Sequence, residues 1–77
     1  MIKFTYILEH DSTGVPDYIN KVDSEGYIVG YYCLDTKEWM IVLPDNYVSM
    51  KDYKERFGLD RCLFKDISEE EMFLEII

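Results

Sequence analysis

Two runs of β-forming residues stand either side of three polar ones. Residues 27–34 read Tyr-Ile-Val-Gly-Tyr-Tyr-Cys-Leu and residues 38–43 read Glu-Trp-Met-Ile-Val-Leu, with Asp35-Thr36-Lys37 between them. β-Branched and aromatic runs joined by a short polar turn predict an antiparallel hairpin. Gly30, in the middle of the first arm, predicts a bulge or a close neighbour, because glycine in a strand leaves room for another backbone. Pro44 and Asp45-Asn46 end the second arm.

The remaining elements are read around this hairpin. In residues 2–8, Ile2, Phe4, Tyr6 and Leu8 alternate with Lys3, Thr5 and Ile7, the period of a strand with one buried face. Residues 9–26 carry Gly14, Pro16, Gly26 and several Asp and Ser, and read as loop; a short helix from Pro16 to about Val22 is the alternative, since proline is tolerated in a first turn. Ser49 caps a helix running to about Phe57, with Asp52 three residues on, Gly58 at its end, and Met50, Tyr53 and Phe57 on one face. Arg61-Cys62-Leu63-Phe64-Lys65 reads as a short strand. Ser68 with Glu71 forms a capping box, and Met72, Phe73, Ile76 and Ile77 form an apolar stripe on the helix that follows. The sum is one α+β domain spanning 1–77. Its small antiparallel sheet has three to four strands at about 2–8, 27–34, 38–43 and 61–65, and its helices lie at about 49–57 and 69–76.

A chain of 77 residues buries a thin core, and dimerisation would reinforce it. Its hydrophobic fraction of 48%, with seven Tyr, four Phe and one Trp, is too high for a disordered chain. Cys33 and Cys62 form no C-x-x-C pair and are too few for a disulfide scaffold. With no basic n-region ahead of an apolar run and no long apolar stretch, a cytoplasmic protein with reduced thiols is expected. A Cys33–Cys62 bridge stays open as an alternative.

Sixteen acids against eight bases give a net charge of −8, which argues against direct binding to nucleic acid or to an anionic membrane. The charge is uneven. Residues 9–25 carry −4, residues 66–77 carry −5 with no base, and residues 51–65 carry +2. Acids in a first helical turn complement the helix dipole, which accounts for Glu69, Glu70 and Glu71. Glu75, far from that turn, and the lack of any base after Lys65 are not explained that way.

Catalytic readings are weak. His10-Asp11-Ser12 stand consecutively, whereas a triad converges from separated positions. Asp23-Ser24-Glu25-Gly26 opens like a calcium loop, but position 12 of that pattern would be Leu34. No cysteine or histidine stands at metal-ligand spacing, no glycine-rich phosphate loop is present, and so small a domain has little room for a deep pocket. Cys33 reads as a core residue. Tyr27, Tyr31, Tyr32 and Trp39 read as hairpin packing or protein-binding surface, since base-stacking platforms sit in basic grooves. No cofactor, metal site or enzymatic activity is expected.

The leading expectation is a non-enzymatic interaction protein that occupies the basic, nucleic-acid-binding surface of a partner protein. Asp11, Asp17, Asp23, Glu25, Asp66, Glu69, Glu70, Glu71 and Glu75 would make the contacts. In composition the chain resembles the short acidic inhibitors, DNA mimics among them, encoded by bacteriophages and mobile elements. Duplex DNA carries about one charge per 1.7 Å. Imitating it therefore requires the segments 9–25 and 66–77 to share a face, or two copies to join their acidic faces. The alternative expectation is a small accessory or assembly subunit docking through apolar contacts, on the hairpin or on the last helix.

Overall fold

The computed structural model describes residues 3–57 and 63–77, and a four-residue word used twice organises its first half. Asp11-Ser12-Thr13-Gly14 joins β1 (Thr5–His10) to β2 (Pro16–Val22), and Asp23-Ser24-Glu25-Gly26 joins β2 to β3 (Tyr27–Cys33). In the first turn Asp11 Oδ1 accepts from the amides of Thr13 and Val15 at 2.8 and 3.0 Å; in the second Asp23 Oδ1 accepts from those of Glu25 and Tyr27 at 3.0 and 2.9 Å. Gly14 and Gly26 close the turns at φ of 87° and 90°, a left-handed conformation that costs glycine nothing.

Residues 9–26 are thus two strand segments and two tight turns, not a loop, and Pro16–Val22 is a strand, not a helix. Tyr18, Ile19 and Val22 find ladders on both sides, pairing with Glu9, Leu8 and Thr5 of β1 and with Cys33, Tyr32 and Ile28 of β3. Pro16, at the strand's first position, withholds no hydrogen bond that the ladder needs.

The predicted hairpin is present as β3 and β4 (Glu38–Ile41), with Tyr32 opposite Trp39 and Gly30 opposite Ile41. A Cβ on Gly30 would stand 3.0 Å from the Met40 carbonyl oxygen, and the opposing β2 strand shifts register at Lys21/Val22. Both the close neighbour and the bulge are therefore found. The turn between β3 and β4 holds Lys37 at φ 61°. A side chain there costs roughly 1–2 kcal/mol, offset in part by glycine's greater freedom when unfolded. Lys37→Gly is expected to stabilise the chain by about 0.5–1 kcal/mol and raise Tm by roughly 3–8 °C in a thermal melt.

After β4 the chain leaves the sheet in an arch with a 3-10 turn at Pro44–Asn46, then returns as β5 (Val48–Ser49) to pair with Tyr27 and Ile28. Ser49 caps α1 (Met50–Phe57), its Oγ accepting from the Asp52 amide at 3.1 Å. The last strand, β6 (Leu63–Ile67), lies antiparallel to β1 with Tyr6 opposite Ile67 and His10 opposite Leu63. Among the described residues the sheet therefore has six strands, ordered β4-β3-β2-β1-β6 with β5 on β3, rather than three to four. The strand expected at 61–65 is seen over Leu63–Ile67; Arg61, Cys62, Gly58 and the side chain of Phe57 lie outside the described residues, as does Ile2.

Helix α2 (Glu69–Ile76) starts at the predicted capping box, with Glu71's amide donating to Ser68 Oγ at 3.0 Å. The two helices cover opposite faces of the sheet. Met72 of α2 packs with Tyr6, Leu8, Ile19, Tyr32 and Ile67; Met50 of α1 packs with Ile7, Val22 and Ile28. β1 is consequently buried on both faces, not one, because β2 and β6 flank it and a helix layer lies above and below. The apolar stripe of α2 is narrower than expected: Met72 and Ile76 face the core, whereas Phe73 and Ile77 are exposed.

Candidate functional site

Glu9 is 4% exposed and Asn20 3%. Glu9 follows Leu8 on β1 and so points to the α1 side of the sheet, where Asn20 of β2 and Tyr53 of α1 converge on it. Asn20 Nδ2 donates to Glu9 Oε1 at 3.2 Å, and the Tyr53 hydroxyl donates to the same oxygen at 2.8 Å. A buried carboxylate is tolerable only when donors replace the water it has lost. Beside this network lies a cleft of about 340 Å³. Tyr18, Asn20, Ile28 and Tyr31 line it from β2 and β3, Val42 and Asn46 from the arch, Val48 from β5, and Tyr53 from α1. Tyr18 and Tyr31 meet edge to face at 5.7 Å. The charge of Asp17, burial, and the charges of Cys33 and Glu9 raise the Tyr18 hydroxyl above its ordinary pKa. The cleft gives the domain more room than its length suggests, and neither Glu9 nor Asn20 is visible in the sequence as a site residue.

The acidic residues fall into separate groups. Asp11 and Asp17 lie at the end of the sheet where β1 turns into β2; Asp23 and Glu25 lie at the other end of β2, about 20 Å away at the usual strand rise. That exceeds the Debye length of about 8 Å at physiological ionic strength, so the two ends act independently. Since Thr5 pairs with Val22 and Tyr6 with Ile67, the first turn of α2 starts at the end that holds Asp23 and Glu25. Topology therefore brings Asp23, Glu25, Glu69, Glu70 and Glu71 to one end, and Glu69 is near enough to Tyr6 to raise its hydroxyl pKa, after burial. Asp66 pairs with Ile7 and projects on the α1 side, away from α2; Glu75 lies in the last turn of α2. Asp11 and Asp23 also have work within their turns. The hydrogen bonds from Thr13 and the neighbouring amides hold Asp11 below the ordinary carboxylate range.

The second surface is apolar. β4 is an edge strand exposed along its whole length, and it presents Trp39, Met40 and Ile41, the last 85% exposed, with Leu43 beyond. Trp39 packs on Tyr32 with ring centroids 5.2 Å apart, which fixes its orientation at the edge. Cys33 is a free, half-buried thiol at the end of β3 rather than a core residue, and hydrogen bonds from Thr36 lower its pKa.

His10 ends β1 opposite Pro16 and Leu63, in a strand and not in a loop, while Asp11 Oδ1 is taken up by Thr13 and Val15. Among the described residues no group of three or more His, Cys, Asp or Glu could hold a metal ion, and no helix is long and apolar enough to cross a membrane. No family model, curated protein or solved structure matches the chain.

Proposed function

We propose that this chain is a non-enzymatic, cytoplasmic interaction protein that docks an extended segment of a partner protein against β4. The observation that carries the reading is the uncovered apolar edge: Trp39, Met40, Ile41 and Leu43 are all exposed on and just beyond a strand that, among the described residues, has a neighbour on one side only. A sheet edge presents unpaired N–H and C=O groups with which another strand can pair, and on β4 only Glu38 carries a charge, although its 4 residues limit the partner to a short segment. Backbone hydrogen bonds would give affinity, and Trp39 and Ile41, on the same side of the strand, would give selectivity. The free thiol of Cys33 suits a reducing compartment.

A second reading rests on the acidic end. Asp23, Glu25 and the first turn of α2 would contact a basic, nucleic-acid-binding partner. Even across the 20 Å smallest dimension of the molecule, five acids give one charge per about 4 Å, against about one per 1.7 Å in duplex DNA. A single copy is therefore sparse as a DNA mimic, and this reading calls for a homodimer that joins two such ends.

Two variants separate the readings in affinity capture from lysate. Ile41→Lys places a charge on the edge at a position too exposed to matter for folding. It is expected to abolish capture, while charge reversal at Glu69, Glu70 and Glu71 leaves capture intact. The opposite pattern, with capture weakening steeply as salt is added, transfers the function to the acidic end. Sedimentation of the purified chain distinguishes a partner's strand from a second copy.

A further inference from the structure

We infer that the cleft between α1, the arch and the sheet is a binding site for a small, uncharged or cationic heteroaromatic amine of one or two rings. Three observations carry this, none of which involves the β4 edge.

The first is an acceptor with a fixed direction. Asn20 is 3% exposed and gives Nδ2 to Glu9 Oε1. A carboxylate accepts and cannot donate, so it settles which way the amide faces and turns Asn20 Oδ1 away from it. No buried side-chain polar atom among the described residues lacks a partner. None of their hydrogen bonds reaches Asn20 Oδ1, which is therefore open to the cleft that Asn20 lines. An N–H on a ligand satisfies that oxygen.

The second is the shape and character of the walls. Tyr18, Tyr31 and Tyr53 supply aromatic surface, Ile28, Val42 and Val48 supply aliphatic surface, and Asn46 adds a second amide at the arch. A mostly apolar cleft with a few placed polar groups is the usual form of a small-molecule site, and about 340 Å³ is near the lower end of the usual range. Flat rings match aromatic walls because both partners present extended faces and edges.

The third is the sign of the charge. Among the described residues no Lys or Arg lines the cleft, and the Glu9 carboxylate accepts hydrogen bonds from Asn20 and Tyr53, two of the residues that do. The upward shift of the Tyr18 hydroxyl, caused in part by Asp17 and Glu9, reports the same negative field. Phosphorylated and carboxylated ligands are therefore disfavoured.

The test is a titration of the isotopically labelled full-length chain, followed by backbone amide shifts, with 2-aminopyrimidine, cytosine and adenine as probes. A ligand of about ten non-hydrogen atoms is expected to bind with a Kd of roughly 0.1–1 mM. Saturable shifts should centre on Asn20, Tyr31 and Val48. Pyrimidine, which lacks the amine, should bind roughly 3–10-fold more weakly, the worth of one hydrogen bond. Adenosine monophosphate should bind more weakly than adenine. Val42→Phe fills the cleft while leaving Glu9 and Asn20 themselves unchanged and should remove the shifts, while the rest of the spectrum shows that the fold persists. The inference is overturned if all three amines leave the spectrum unchanged at about 5 mM, well above that Kd range. It is equally overturned if pyrimidine binds as well as 2-aminopyrimidine, if the monophosphate binds better than adenine, or if Val42→Phe leaves binding unchanged.

Discussion

Ile19→Ala is expected to unfold most of the population at 25 °C. Ile19 is the one large side chain among the described residues with no exposed surface, at 0%. It stands on β2 between Leu8 and Tyr32, in the cluster that Met72 closes from above. Truncating a buried isoleucine removes the transfer free energy of its methyl and methylene groups and leaves a cavity, for a total of about 2–5 kcal/mol. Neighbours on both sides are held by ladder hydrogen bonds, so the sheet has little freedom to collapse into the space. A domain this small has only a few kcal/mol in hand. Far-ultraviolet circular dichroism with urea titration should show a folded baseline lost or sharply shortened. Ile19→Val, which removes one methylene, should cost about 0.5–1.5 kcal/mol and stay folded. Equal midpoints for Ile19→Ala and wild type would mean that the α2 face is not the structural core.

Glu9→Ala should be nearly as damaging, for a different reason. The carboxylate is an acceptor for Asn20 Nδ2 and the Tyr53 hydroxyl. Removing it strips a buried amide of its acceptor and unties α1 from the sheet at Tyr53. Breaking one side of a buried charged network costs about 3–5 kcal/mol. Glu9→Gln retains an acceptor oxygen of the same shape and should cost only about 1 kcal/mol. Tyr53→Phe combined with each Glu9 variant in a double-mutant cycle isolates the hydroxyl–carboxylate bond. A coupling of about 1.5–3 kcal/mol is expected for a hydrogen bond to a charged group, and no coupling would remove Glu9 as the joint between α1 and the sheet.

These two residues also show where sequence reasoning stops. Ile19 is invisible because Asp-Ser-x-Gly on both sides of it makes residues 9–26 look like one long loop. Read as two hairpin turns, each with a turn-forming aspartate and a left-handed glycine, the same letters demand a strand between them. Glu9 is invisible for a deeper reason. Its burial depends on Tyr53, 44 residues away in sequence, and no local pattern encodes that meeting. What was legible is governed by neighbours in the chain: the β3–β4 hairpin, the Ser49 cap and the Ser68–Glu71 box each rest on residues a few positions apart. The acidic residues lie between these cases. Their clustering along the chain is plain, but the seven residues of β2 carry Asp11 and Asp23 to opposite ends, and only strand order reveals it.

The strand order has one more consequence, which concerns time rather than space. From β1 to β4 the chain builds a meander in which every strand pairs with its immediate predecessor. Beyond the meander, β5 returns to β3, and β6 returns further still to lie against β1. A chain emerging from the ribosome can thus lay down four paired strands while β1 still has an open side. For that interval β1, buried on both faces in the finished fold, is an edge strand open on the side away from β2. The segment from Leu63 onward does more than add a helix: it seals β1.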